Sequence, residues 1–216
     1  KKPDSRGKSF GYQVLGFGSG PSSTAIAHRG VWGGGLTPSQ QNVIDFVQIA
    51  TLGNASDFGN LTVAKGRTMG AAASTTRGLY FGGQTPTRLA TIDFVTIATE
   101  GNAADFGDCS STTQNGAAGN NTTRAVDALG DTADNSVVTL EFVTIASVGN
   151  TTDFGDLLED SDGSNAACHS MTRGLYQHGR QTYSIQYITI DTTGNAIDFG
   201  DTASNLNQTT GFNDGF

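Results

Sequence analysis

The chain is poor in charge, sulfur and proline, and each shortage removes a class of protein. Charged residues are 15% of the 216, below the ~25% of an average globular chain, so the polar surface must come from Thr, Ser, Asn and Gln. That surface suits short strands, tight turns and an extracellular setting. The formal net charge is −8, and the 12 Lys and Arg are scattered apart from Lys1, Lys2, Arg6 and Lys8. Without a basic face to neutralise phosphates, nucleic acid is not an expected partner. No apolar run approaches the ~20 residues of a membrane span. Two cysteines, Cys109 and Cys168, are too few for a disulfide framework, and neither sits in a CxxC. They read as free thiols or as a single bridge. A metal site needs more ligands than this, so neither metal nor cofactor is expected. The histidines are His28, His169 and His178. There is no HExxH spacing and no GxSxG elbow, so no catalytic residue is assigned and the chain reads as a non-enzyme. The first residue is Lys, which fits a processed end or a piece of a longer protein.

What the chain has instead is a repeat. A sixteen-residue motif, Ile-Asp-Phe-Val-Thr-Ile-Ala-Thr-Glu-Gly-Asn-Ala-Ala-Asp-Phe-Gly in its copy at Ile92, also begins at Ile44, Leu140 and Ile185. The copies start 48, 48 and 45 residues apart. A period of this length means one supersecondary unit per copy, too small to bury a core alone. The units are expected at about 21–66, 67–114, 115–163 and 164–201. Residues 1–20 form an N-terminal arm with one extra strand, and residues 202–216 supply a C-terminal strand for closure or subunit contact.

Within the motif, Ile92, Phe94 and Thr96 share one face of a strand and Asp93, Val95 and Ile97 the other. Apolar residues on both faces predict a sheet covered on both sides. Gly101-Asn102 reads as a turn and Asp105-Phe106-Gly107 as the returning strand. A strand ending at glycine precedes the motif in each unit, as in Thr76 to Gly83. A small-residue strand such as Met69 to Ser74 suggests backbones in close approach. No helical periodicity of useful length occurs. Each unit is about four short antiparallel strands, so the fold is all-β. The period matches a β-propeller blade; a solenoid is the structural alternative.

Thr-Arg-Gly-Leu-Tyr-Phe-Gly-Gly (76–83) and the motif with its following Asp (92–108) resemble the kelch-like repeats of phage tail-fibre and virion-associated proteins, particularly those of marine phages. The resemblance spans about residues 22–201. It departs from standard kelch repeats in losing the double glycine in the third and fourth units and in having only Trp32 as tryptophan. It implies a four-bladed kelch-like β-propeller at an extracellular or virion surface. The implied role is adhesive or structural: a tail-fibre module binding a glycan or host receptor, or a subunit that polymerises into a fibre through terminal strands. An enzyme on a propeller scaffold is the third reading. A homo-oligomer or larger virion assembly is the expected setting.

Arg29, Arg77, Arg124 and Arg173 recur once per unit, as do Asp57, Asp105, Asp153 and Asp198. They read either as charges around a ligand or, with more weight, as groups that bond turn amides or pair with each other to lock blades together. Phe58, Phe106, Phe154 and Phe199 read as core. Asp45, Asp93, Glu141 and Gln186 share one motif position, where replacement of acid by amide points to hydrogen bonding rather than proton transfer. The loops Gln84 to Leu89, Asp131 to Ser136 and Leu157 to Asn165 vary between units and are candidates for recognition. Tyr183, Asp131, Asp160 and Asp162 are the candidate ligand contacts. Trp32, Tyr80 and Tyr176 read as packing between blades. Leftover apolar residues at the ends, Phe10, Tyr12, Val14, Leu15, Phe17, Phe212 and Phe216, are candidate subunit contacts.

Overall fold

β-branched and aromatic residues alternate with small ones along the chain, and strands follow. The structure, a computed structural model, describes residues 28–67, 70–132, 136–160, 166–177, 182–204 and 211. The seven terminal apolar candidates, Asp162, the N-terminal arm and most of the C-terminal segment lie outside these residues. The described residues are all-β, in four antiparallel sheets with no helix.

The first sheet has β1 (Arg29–Gly33), β2 (Gln41–Gln48) and β3 (Ser56–Lys65), in that order. The second holds β4 (Gly70–Ala73), β5 (Arg77–Phe81), β6 (Gln84–Thr85), β7 (Thr87–Thr96) and β8 (Ala104–Gln114). The third is built from β9 (Ala117–Asn120), β10 (Arg124–Ala128), β12 (Thr139–Thr144) and β13 (Thr152–Asp156), while the intervening β11 (Asp131–Thr132) joins the edge of the second sheet beside β8. The fourth runs β14 (Ala166–His169), β15 (Arg173–Gln177), β16 (Ser184–Thr189), β17 (Ile197–Asp201). In the last three sheets the strand order follows the chain: small-residue strand, arginine strand, motif strand, returning strand. The small-residue strands meet, β4 against β9 and β9 against β14.

Each motif hairpin carries the same bulge. Ile92 pairs with Gly107 but Asp93 with Asp105, so Phe106 is the extra residue; the register shifts alike after Ile44, Leu140 and Ile185. A bulge re-aims a side chain, and here it brings Phe106 against Phe94, edge to face at 5.9 Å between centroids. The pairs Phe46–Phe58, Phe142–Phe154 and Tyr187–Phe199 repeat that geometry.

Three cores lie between consecutive sheets. Ile44, Phe46, Phe58 and Leu61 of the first sheet pack on Tyr80 and Val95 of the second. Leu79, Phe81, Ile92 and Phe106 pack on Ala125, Val143 and Ile145 of the third. Val126, Leu140 and Phe154 pack on Tyr176, Ile188 and Ile190 of the fourth. The front of each sheet therefore covers the back of the next, which is why both faces of the motif strand are apolar.

Candidate functional site: the sheet junctions and the space between them

Where two sheets meet, backbone bonds from one turn recur three times. Gly101 N–H donates to Phe58 O at 2.8 Å and Ala103 N–H to Asn60 O at 2.8 Å. In return the Asn60 N–H donates to Asn102 Oδ1 at 3.0 Å. At the next junction Gly149 donates to Phe106 O at 2.7 Å and Thr151 to Asp108 O at 2.9 Å, while Asp108 N–H donates to Asn150 Oδ1 at 3.0 Å. At the third, Gly194 donates to Phe154 O at 2.7 Å and Ala196 to Asp156 O at 2.8 Å, and Asp156 N–H donates to Asn195 Oδ1 at 3.1 Å. The Gly-Asn pair is thus a hook on the preceding sheet as well as a local turn. The Asp-Phe-Gly glycine makes the approach possible. Gly59, Gly107 and Gly155 have φ of +148°, +145° and +139°, and a Cβ on any of them would run into the carbonyl of Gly101, Gly149 or Gly194. Only glycine meets both conditions.

The repeated arginines cross the same junctions. Arg29 Nη1 donates to Ile97 O at 2.8 Å, Arg77 to Ile145 O at 3.1 Å and Arg124 to Ile190 O at 3.0 Å. Each guanidinium lies 4.2–4.7 Å from the centroid of the phenylalanine ring on its own motif strand, as Arg173 does at 4.6 Å from Tyr187. Cation–π attraction and the ring's fixed position hold the fork in place. Arg29 also pairs with Glu100 at 3.2 Å.

The repeated aspartates do not share this task. Asp57, Asp105, Asp153 and Asp198 are exposed, and no side-chain hydrogen bond or ion pair joins their carboxylates to another described residue. The bulge accounts for this: it turns the neighbouring phenylalanine inward and leaves the aspartate outside. The locking expected of Asp falls to Asn and to the second motif position. There Thr62 Oγ1 donates to Asp93 Oδ1 at 2.5 Å, Ser110 N–H to Glu141 Oε2 at 3.1 Å and Leu158 N–H to Gln186 Oε1 at 2.6 Å. Asp93 additionally meets Lys65 Nζ at 2.9 Å, both side chains fully buried. Asp93, after burial itself, helps to push the Tyr80 hydroxyl up to about 12.

Phe199 departs from its three counterparts. Phe58, Phe106 and Phe154 are 2% exposed and Phe199 is 52% exposed, because among the described residues no sheet lies in front of the fourth. Trp32 is likewise 59% exposed at the back of the first sheet, whereas Tyr80 and Tyr176 are buried between sheets.

Asp127 stands where the other units have Trp32, Tyr80 and Tyr176. It is fully buried, and neither carboxylate oxygen has a hydrogen-bond partner among the described residues. Burial, then the Glu141 carboxylate, hold its pKa well above the usual range. The carboxyl sits beneath β4, where it fits only because residue 70 is glycine.

The small-residue strands border an open pocket of about 320 Å³, lined by Arg29, Ala72, Tyr80, Ile97, Asn120 and His169 among others. It draws residues from all four sheets. Two of its lining residues bond within the fold, Arg29 through Nη1 as above and Asn120 Nδ2 with Ala73 O at 2.7 Å. Burial lowers the His169 pKa. Both cysteines are free, and burial raises the pKa of each. Among the described residues no cluster of His, Cys, Asp or Glu is fit to hold a metal ion, and no helix is long and apolar enough to cross a membrane.

Two of the loops expected for recognition also bond to the preceding sheet. Gln84 exchanges hydrogen bonds with Gly66. Asp131 pairs with Gln114 along β8, and its carboxylate accepts from Asn115 Nδ2 at 3.1 Å and from Ser136 Oγ at 3.3 Å. Each loop completes a sheet edge that its own unit leaves unpaired. Tyr183 remains 48% exposed, and its chain neighbour Thr182 donates from Oγ1 to Glu159 Oε2 at 2.9 Å. Lys65, Asp127 and the hook asparagines are the residues that sequence reasoning missed. Fourfold recurrence of Asn54, Asn102, Asn150 and Asn195 was the available signal for the hook. Compared with known proteins, the chain matches no family model and no curated protein.

Proposed function

We propose that the four sheets are blades of a kelch-like propeller and that the protein is a non-enzymatic binding module of an extracellular or virion surface. One observation carries this reading: at all three junctions the repeated Arg, Asn and second-position side chains bond across to the neighbouring sheet. What remains outward is polar and aromatic surface between the repeats. Tyr183, 48% exposed, offers a ring to stack on a sugar. A glycan array on the full chain tests this. Binding of a defined glycan, lost in Tyr183→Ala with the fold intact, supports it; no binding to any glycan or host surface removes it.

A second reading, a structural subunit of a fibre, is favoured by the apolar surface left open at the first and fourth sheets. Tyr183 plays no part in that reading.

A further inference from the structure

The junction motif is present at both ends of the stack and, among the described residues, engaged at neither. In the fourth sheet Arg173 lies over Tyr187 and Tyr187 lies against Phe199 at 6.1 Å, as in the three engaged sheets. Gly200 has φ +136° like Gly59, Gly107 and Gly155, yet a Cβ there would meet nothing within 4 Å. Phe199 O and Asp201 N–H, the partners of a hook, find none among the described residues. Phe199, Leu175 and Ile185 border an apolar pocket of about 430 Å³ on this face, which Thr202 and Gly211 of the C-terminal segment also line. In the first sheet the hook Gly53-Asn54 makes no hydrogen bond to another sheet among the described residues. Ile49, whose counterparts accept from an arginine, is 68% exposed where Ile145 is 1% exposed.

We propose that the front of the fourth sheet is a docking surface for the back of the first sheet of a second copy of this chain. The contact repeats the internal junctions: Gly53 N–H to Phe199 O, Ala55 N–H to Asp201 O, Asp201 N–H to Asn54 Oδ1, and Arg173 to Ile49 O. Trp32 and Ile49 of one copy cover Phe199 and Leu175 of the other. The match of faces argues for this occupant. Residues 1–27 and 202–216 contain no Gly-Asn pair, so neither terminal segment carries the hook. The inference rests on the second reading above but replaces strand exchange with face-to-face packing. Such a contact is head-to-tail, and it propagates unless the rotation closes.

The test is the mass of the full chain by light scattering over a range of concentrations. Alongside it, Asn54→Cys and Asp201→Cys chains, each with Cys168→Ser, are mixed under oxidation. The expected results are mass rising with concentration, a mixed disulfide dimer, and assembly weakened about tenfold or more by Asn54→Ala, Arg173→Ala or Gly200→Val. Asn54 lies on an exposed turn, so its variant keeps the test valid if Gly200→Val folds poorly. A monomer at every concentration overturns both the inference and the structural-subunit reading, as does a double-cysteine chain that bridges only within itself. Assembly that survives all three substitutions but is lost on deleting residues 1–20 overturns the inference alone and favours strand exchange.

Discussion

The buried charges are the residues whose behaviour departs most from the repeat. Asp127 ionises at an ordinary value when the chain is unfolded and stays protonated well above it when folded. Stability is therefore full below the unfolded value and is lost as pH rises from there towards the folded one. Asp127→Asn removes that loss. Denaturant titrations should show the variant more stable than the parent by about 1 kcal/mol or more near pH ~8 and equal to it near pH ~4. Lys65 and Asp93 behave differently, because each is the other's partner at 2.9 Å with no solvent access. Lys65→Met is expected to cost about 3–5 kcal/mol by leaving a carboxylate alone in the core. Adding Asp93→Asn should recover much of it, since Gln186 already serves as an amide at that position. A double-mutant cycle by chemical denaturation measures the coupling. Neither buried group was legible in the sequence. Lys65 falls well beyond the Asp-Phe-Gly segment read as the returning strand, and nothing in the local sequence around Asp127 signals that its carboxyl is buried.

At the scale of the element, the hairpin was the part of the fold most open to reading from sequence. Alternation along Ile92 to Ile97 predicts two covered faces, and both are covered. The turn residues were legible as a turn but not as a contact between sheets. That contact depends on what stands across from the turn, which no local pattern reports. The bulge was hidden for a related reason: Asp-Phe-Gly has the composition of a plain strand, and only pairing shows that Phe106 is the extra residue. The hook gives a clean comparison. Asn150→Ala removes the acceptor of the Asp108 N–H and should cost about 1–2 kcal/mol. Asn54→Ala, at an unengaged hook, should leave the stability of the isolated chain unchanged in the same thermal or denaturant measurement. Gly107→Ala should destabilise by about 2 kcal/mol or more through a positive φ and a blocked carbonyl.

Across the whole molecule, stability is spread as in a repeat stack, where each unit depends on its neighbours. The second and third sheets are covered on both faces, the first and fourth on one. Hydrogen exchange followed by mass spectrometry should find β7 and β12 most protected. β17, with Phe199 and Ile197 open to solvent, should exchange ahead of them at the concentrations of a monomer. The number of units was readable from the period, because copies of a motif can be counted without knowing what they touch. The relation between the first and last units was not, because it concerns surfaces that the repeat presents identically whether covered or bare.

Each junction draws its backbone bonds from two short tripeptides, Phe-Gly-Asp or its variant Phe-Gly-Asn on one side and Gly-Asn-Ala or Gly-Asn-Thr on the other. A duplication of one full period in the gene would therefore create a new boundary already equipped with both halves. Loss of one period would rejoin the same two halves. The length of such a protein can change by recombination without a single compensating substitution.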